Sequence, residues 1–195
     1  MEGFKLAPET TALVVVDVQE RLAAAMPAEA LERTLRGVTT LIECARLLGM
    51  PVLVTEQYPK GLGPTHARVQ GALATLPKPA RVIEKIEFDA TLCGAFAATF
   101  DDVLRVDATR MRSVVLTGME AHICVYQTAR GLRGEHFHVH VPVDATCSRS
   151  PDNHRIAEGL WHGVGAVVTS TEAVAFDLLG QAGSDAFKAI SKLVR

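Results

Sequence analysis

"SVVLTGMEAHICVYQTARGLR", residues 113–133, runs from a β-branched apolar stretch straight into a segment of helical spacing, with Cys124 close to the junction. Val114, Val115 and Leu116 form a continuous run suited to a strand buried on both faces. Ile123, Tyr126, Gln127 and Ala129 then follow a helical period, and Gly131 weakens the end of that helix. A strand followed directly by a helix is half of a βαβ unit, and the alternation repeats to either side.

Upstream, "TALVVVDV" (11–18) reads as a buried strand and residues 28–49 as a helix. That helix has Leu31, Leu35, Val38, Leu41, Ile42, Ala45 and Leu48 on one face and Gly49 as its stop. Residues 51–57 and 80–85 are two further strands, separated by a loop at 58–65 that holds two Pro and two Gly, and 94–105 is helical. Downstream, residues 136–145 and 166–170 are strands. Residues 150–165 form a helix with Ser150 as cap and Pro151 in its first turn, and 184–194 a closing helix capped by Ser184. No repeat or linker interrupts the 195 residues, so the expected architecture is one α/β domain spanning 1–195, a doubly wound parallel sheet between two layers of helices.

A hydrophobic content of 48% with 22% charged residues suits a packed core rather than a disordered chain. Twenty Lys and Arg against 22 Asp and Glu, for a formal charge of −2, give no basic tract for a phosphate backbone or an acidic membrane, which argues against nucleic-acid and membrane partners. No apolar run approaches the ~20 residues of a membrane span, and the opening decapeptide lacks the apolar core of a secretory signal. Cys44, Cys93, Cys124 and Cys147 are widely spaced without a CxxC, which points to reduced thiols and a cytoplasmic protein.

In doubly wound sheets, ligands bind beyond the carboxyl ends of the strands. Asp17 ends the first strand, Lys85 the third, and Cys124 follows the fourth at the start of a helix, so three complementary groups converge on one rim. An acidic residue after buried valines is costly to desolvate without a partner or a task. A thiol at a helix N-terminus beside an ammonium is drawn toward thiolate, and its pKa falls below the free value of about 8.5 if those effects outweigh Asp17 and desolvation. The competing reading makes Cys124 a small core hydrophobe, Asp17 a helix cap and Lys85 a surface ion-pair partner. Cys44 sits within a periodic helix, and neither Cys93 nor Cys147 opens one. His136, His138 and His140 alternate along one strand, which suits packed or edge histidines better than metal ligands. His66 and His122 lie nearer the rim.

Taken in order, "VVVDVQ" (14–19), "TEQYPKGLGPT" (55–65), "IEK" (83–85), "LTGMEAHICVYQTA" (116–129) and "VDATCSRSP" (143–151) resemble the isochorismatase-like hydrolases, over about residues 10–190. The resemblance implies a six-stranded parallel sheet of order 3-2-1-4-5-6 and a catalytic triad on Asp17, Lys85 and Cys124. It also implies a cis peptide between Met119 and Glu120 at the nucleophile's turn, with the Ala121 or Cys124 N–H holding an oxyanion, and a homo-oligomer. Amide-cleaving members use the thiolate as nucleophile, whereas true isochorismatases hydrolyse a vinyl ether and do not need it. Cys124 therefore favours a small amide or related acyl substrate. The Asp-x-His that begins the metal site of nicotinamidases is missing from "TEQYPKGLGPTH", so neither a metal nor another cofactor is expected. Gln19, Gln57, Tyr58, Phe88 and His122 are candidate pocket residues, and the 58–66 loop a candidate lid. A vinyl-ether hydrolase and a non-catalytic binding or scaffold protein are the alternatives.

Overall fold

The computed structural model describes residues 4–104 and 113–194. In chain order the elements are β1 (Thr11–Val16), α1 (Glu20–Ala23), α2 (Ala28–Leu48), β2 (Val52–Gln57), α3 (Pro59–Leu62), α4 (Ala67–Leu73), β3 (Arg81–Lys85) and α5 (Gly94–Leu104). They continue with β4 (Ser113–Met119), α6 (Tyr126–Gly134), β5 (His138–Pro142), β6 (Thr146–Cys147), α7 (Pro151–Gly163), β7 (Val167–Thr169), α8 (Thr171–Leu179) and α9 (Asp185–Leu193). Arg105, the expected last residue of the fifth of these helices, lies outside the described residues.

Every pairing among the strands is parallel, in the order β3-β2-β1-β4-β5-β7, with β6 paired to β4. Helices on both faces bury this sheet. Every residue of β1 and β4 is buried, as their unbroken apolar runs require, while the outer strand β3 buries only Ile83 and Lys85. One core layer joins Leu13, Val15, Val54 and Val115 to Leu35, Val38 and Ile42 of α2. The other joins Val14, Leu53, Val114 and Leu116 to Phe96, Phe100, Leu132 and Trp161. Each such side chain removed from water contributes roughly 1.5–3 kcal/mol, so the alternation of β1 between two layers anchors the sheet centrally.

The six expected strands are present, and a seventh is added. The stretch expected as one strand over 136–145 divides at Pro142 into β5, a 3₁₀ turn at Val143–Ala145 and the two-residue β6. Pro142 has no N–H to continue a ladder, and the turn re-aims the chain so that Thr146 and Cys147 pair with Gly118 and Met119. His136 lies outside the strand with φ 68°, so the three alternating histidines do not share one strand face. Four helices, α1, α3, α4 and α8, lie where none was expected, α3 within the stretch 58–65 expected to be loop. Ser184 caps α9 by accepting from Phe187 N at 3.0 Å, whereas Ser150 opens α7 with no side-chain cap bond and Pro151 supplies the preset φ. Gly131 costs α6 less than expected, because a Cβ there would run into Asp89 and Thr91.

Gly118 shapes the rim. Its φ is +118°, and a Cβ would collide with the carbonyl of Val16 on β1. Only glycine lets β4 come this close to β1 where the chain turns toward Cys124.

Candidate active site

The last residues of β2 and β3 pair in register, Gln57 with Lys85, and Asp17 follows β1 beside them. Asp17 adopts φ 51°, a left-handed conformation that Asp tolerates better than most residues, and its N–H donates to the Thr55 carbonyl at 3.0 Å. The Asp17 carboxylate accepts from Lys85 Nζ at 2.7 Å on Oδ2 and from Thr55 Oγ1 at 2.6 Å on Oδ1. Both charged side chains of this ion pair are fully shielded from solvent. Lys85 Nζ also donates to Gln57 Oε1 at 2.7 Å and to the Glu87 carbonyl at 3.1 Å. An ammonium taken out of water needs three acceptors, and this one has them.

Cys124 occupies a π turn, Ala121–Val125, which passes directly into α6 rather than the first turn of an ordinary α-helix. Such turns recur at functional positions because the extra residue displaces a side chain from the regular ladder. The Met119–Glu120 peptide before it is cis. The Glu120 carboxylate is buried and held by Arg149, through its N–H at 2.9 Å and its guanidinium at 3.0–3.1 Å, tying the turn to the segment after β6.

Asp17, Lys85 and Cys124 therefore meet, and the charge balance differs from the sequence expectation. The Cys124 thiol is held above its ordinary value, not below it. Burial is the largest cause, and the Asp17 carboxylate adds to it as a charge and as hydrogen-bond acceptor. Lys85 pulls the other way without overcoming them, and Glu120 raises the thiol further. A thiol facing a carboxylate is an arrangement that can supply a nucleophile and a base.

The other candidates divide. Gln57 belongs to the site through Lys85. Gln19 is fully buried and braces the neighbouring backbone: its amide donates to the carbonyls of Gln57 at 3.1 Å and Gly63 at 2.6 Å, and accepts from Gln57 N at 2.8 Å. Tyr58 and Phe88 are 56% and 53% exposed on either side of Lys85 in sequence. His122 points its ring nitrogens at Ser148 Oγ, 2.9 Å, and Asn153 Nδ2, 3.3 Å, joining the Cys124 turn to α7. His66 caps α4 by accepting from Arg68 N at 3.2 Å. The 58–66 segment holds the short helix α3 and is strapped down, Thr65 bridging to Gln19 and Thr65 N donating to Glu56 at 2.6 Å. Among the described residues no group of three or more His, Cys, Asp and Glu side chains is arranged to hold a metal ion.

Thr55 and Arg149 are absent from the candidates that the sequence offers, whereas Glu120 is among them only as a residue of the turn. Thr55 gives no signal beyond lying one strand away from Asp17, and the contact of Glu120 with Arg149 is visible only in the fold. Two cavities, of about 90 Å³ by Arg33, Ser148 and His154 and about 190 Å³ by Leu6, His140 and Asp177, are lined by none of Asp17, Lys85 and Cys124. Chemistry locates this site better than cavity volume does.

The isochorismatase domain family matches residues 11–173. Isochorismatase domain-containing protein 1 of Salmo salar is 35% identical over 190 residues, covering 97% of this chain, which spans 62% of that protein. A secreted isochorismatase effector of Phytophthora sojae is 33% identical over 194 residues, 98% of this chain and 87% of the effector. The structure named MAR1 ribonuclease from Caenorhabditis elegans superposes with a TM-score of 0.86 at 33% identity, over 97% of this chain and 92% of that one. With the parallel sheet and flanking helices in the matching order, the chain belongs to the isochorismatase family.

Proposed function

We propose that the protein is a cysteine hydrolase of small amides or related acyl compounds, acting through Cys124, Asp17 and Lys85. The observation that carries this reading is the buried thiol facing a carboxylate that is itself paired with a buried ammonium. Cys124 Sγ attacks the substrate carbonyl carbon while its proton passes to Asp17, so no free thiolate has to exist beforehand. The carbonyl oxygen, now negative, is held by the backbone N–H of Ala121 or Cys124. As the C–N bond breaks, Asp17 returns the proton to the leaving nitrogen and a thioester remains. Asp17 then takes a proton from water, whose oxygen attacks the thioester carbon, and the acid departs as Cys124 recovers its proton. Lys85, 2.7 Å from its carboxylate, holds Asp17 in place throughout these steps.

The test is ammonia or amine release from a panel of small amides and ureas, with a mass-shifted Cys124 peptide trapped on acid quench. Turnover by wild type and none by Cys124→Ala supports the reading. Turnover that survives Cys124→Ala rules out Cys124 as the nucleophile, and hydrolysis of a vinyl ether in place of the amides points instead to a reaction in which Asp17 only protonates the substrate. Thiol reactivity like that of a free cysteine, with no turnover, points to a non-catalytic scaffold. The worm relative's name makes RNA cleavage a second reading. The formal charge of −2 ranks it behind a small-molecule substrate, and a labelled oligoribonucleotide added to the same panel decides it.

We further infer that residues 1–195 work as one catalytic unit without a metal or cofactor, in the cytoplasm and as a homo-oligomer. The four cysteines are all free thiols, and among the described residues no helix is long and apolar enough to cross a membrane. Ile86 and Leu92, in the segment after β3, are 74% and 72% exposed in the single chain, which suits coverage by another copy.

A further inference from the structure

We propose that Gln57 is a positioning residue for Lys85: its side-chain amide sets where the ammonium sits, and thereby how much of that charge reaches Cys124. The inference rests on the hydrolase reading and deepens it, since nothing in the triad itself requires a glutamine.

The amide can face only one way. Gln57 Nε2 donates to the Ile86 carbonyl at 2.8 Å while Oε1 accepts from Lys85 Nζ at 2.7 Å. Turned over, it would aim two donors at an ammonium and an oxygen at a carbonyl. Its main chain is fixed as firmly, with Gln19 accepting from Gln57 N and donating to Gln57 O. Gln19 also donates to Gly63 O, so the support of Lys85 continues into the strap after β2. The remaining acceptors of Lys85 are Asp17, which is charged, and the Glu87 carbonyl, which is not. A neutral acceptor at position 57 matters for that reason. It satisfies the third N–H of the ammonium without cancelling charge that Asp17 already largely balances.

The charged groups acting on Cys124 are Asp17 after β1, Lys85 on β3 and Glu120 in the turn after β4, and Lys85 alone among them favours the thiolate. Gln57→Glu adds a negative charge against Lys85. Gln57→Met keeps bulk and removes an acceptor, so the ammonium draws onto Asp17 and away from its present place. Both changes weaken the one influence that favours thiolate.

The experiment is the rate of iodoacetamide alkylation of Cys124, read by peptide mass spectrometry between pH 6.5 and 9.5 on the full chain. Lys85→Met should react more slowly than wild type at every pH, and Gln57→Glu and Gln57→Met should follow it, each slower by about tenfold if the thiol rises by one pH unit. Arg21→Ala, which cuts the exposed Arg21–Gly61 contact on the strap and touches neither Lys85 nor Gln57, should react like wild type. A merely structural role for Gln57 gives the opposite sign, because a loosened site exposes Cys124 and speeds its alkylation. Equal or faster alkylation in the Gln57 variants, with Lys85→Met slow, overturns the assignment and leaves the triad standing. If Lys85→Met is no slower either, Lys85 does not act on Cys124 and the hydrolase reading falls as well. The two Gln57 variants probe the contact by added charge and by lost acceptor, so failure of one to fold leaves the other to decide.

Discussion

Asp17 and Lys85 are joined at 2.7 Å with neither side chain exposed to solvent, so each is the condition for burying the other. Coulomb attraction between buried partners repays their desolvation only while both are present. Lys85→Met leaves a carboxylate with the Thr55 hydroxyl as its one remaining strong donor and should cost about 3–5 kcal/mol in urea denaturation. The double variant Asp17→Asn with Lys85→Met should be less destabilised than the two single losses added together. Strict additivity would show that the pair is not energetically coupled.

Gly118 should not accept a side chain. Gly118→Ala meets the Val16 carbonyl and places a Cβ at φ +118°, so a loss of several kcal/mol or failure to fold is expected. Gly159, within α7, meets nothing within 4 Å, and Gly159→Ala should raise stability by up to about 1 kcal/mol. Equal melting temperatures for Gly118→Ala and wild type would remove the close approach of β1 and β4 as a constraint.

Much of this arrangement was legible from residue pattern. Six runs rich in Val and Ile gave the strands, and their ends delivered Asp17, Lys85 and Cys124 to one rim, because a parallel sheet puts all its carboxyl ends on the same side. Short helices were not legible. The seven-residue α4 buries only Val69, and α8 follows a Ser170 cap that in sequence looks like the end of the strand over 166–170. The direction of the thiol shift is open in the sequence for a different reason. Sequence reveals which charges approach Cys124, but not that desolvation and Asp17 outweigh Lys85, which depends on burial depth. Thr55 and Arg149 escaped notice because a hydroxyl or guanidinium acquires its role only from the tertiary contact.

Cys44 should make the protein alkali-sensitive. Burial, with Glu43 nearby, pushes its thiol up to about 12 in the folded chain, and burial likewise lifts Cys147 to about 11. A raised folded value contributes stability that is fully present below the unfolded thiol value of about 8.5 and is lost as pH climbs toward the folded value. Unfolding free energy should therefore fall above about pH 8.5, by up to about 1.4 kcal/mol per pH unit for each such thiol. Cys44→Ala should flatten that slope by about one thiol's share in reducing buffer. An unchanged slope would mean that Cys44 ionises in the folded state as it does in the unfolded one.

Asp17→Asn separates the two duties given to Asp17. Asparagine tolerates the left-handed φ of 51° at this position, so the backbone need not move, although Lys85 loses its counter-charge and some stability is forfeited. The thiol loses the carboxylate that raises it, both as a charge and as a hydrogen-bond acceptor, while burial still holds it up. Its pKa should fall, and alkylation of Cys124 at pH 8 should quicken, by about tenfold for each unit of change. Hydrolysis should move the other way and drop by about 10²–10⁴, because an amide cannot take up the thiol proton or return it to the leaving nitrogen. A more reactive cysteine in a less active enzyme is the signature of a base that is also a restraining charge. Were alkylation and hydrolysis to fall together, Asp17 would be serving Cys124 only by holding the site in shape.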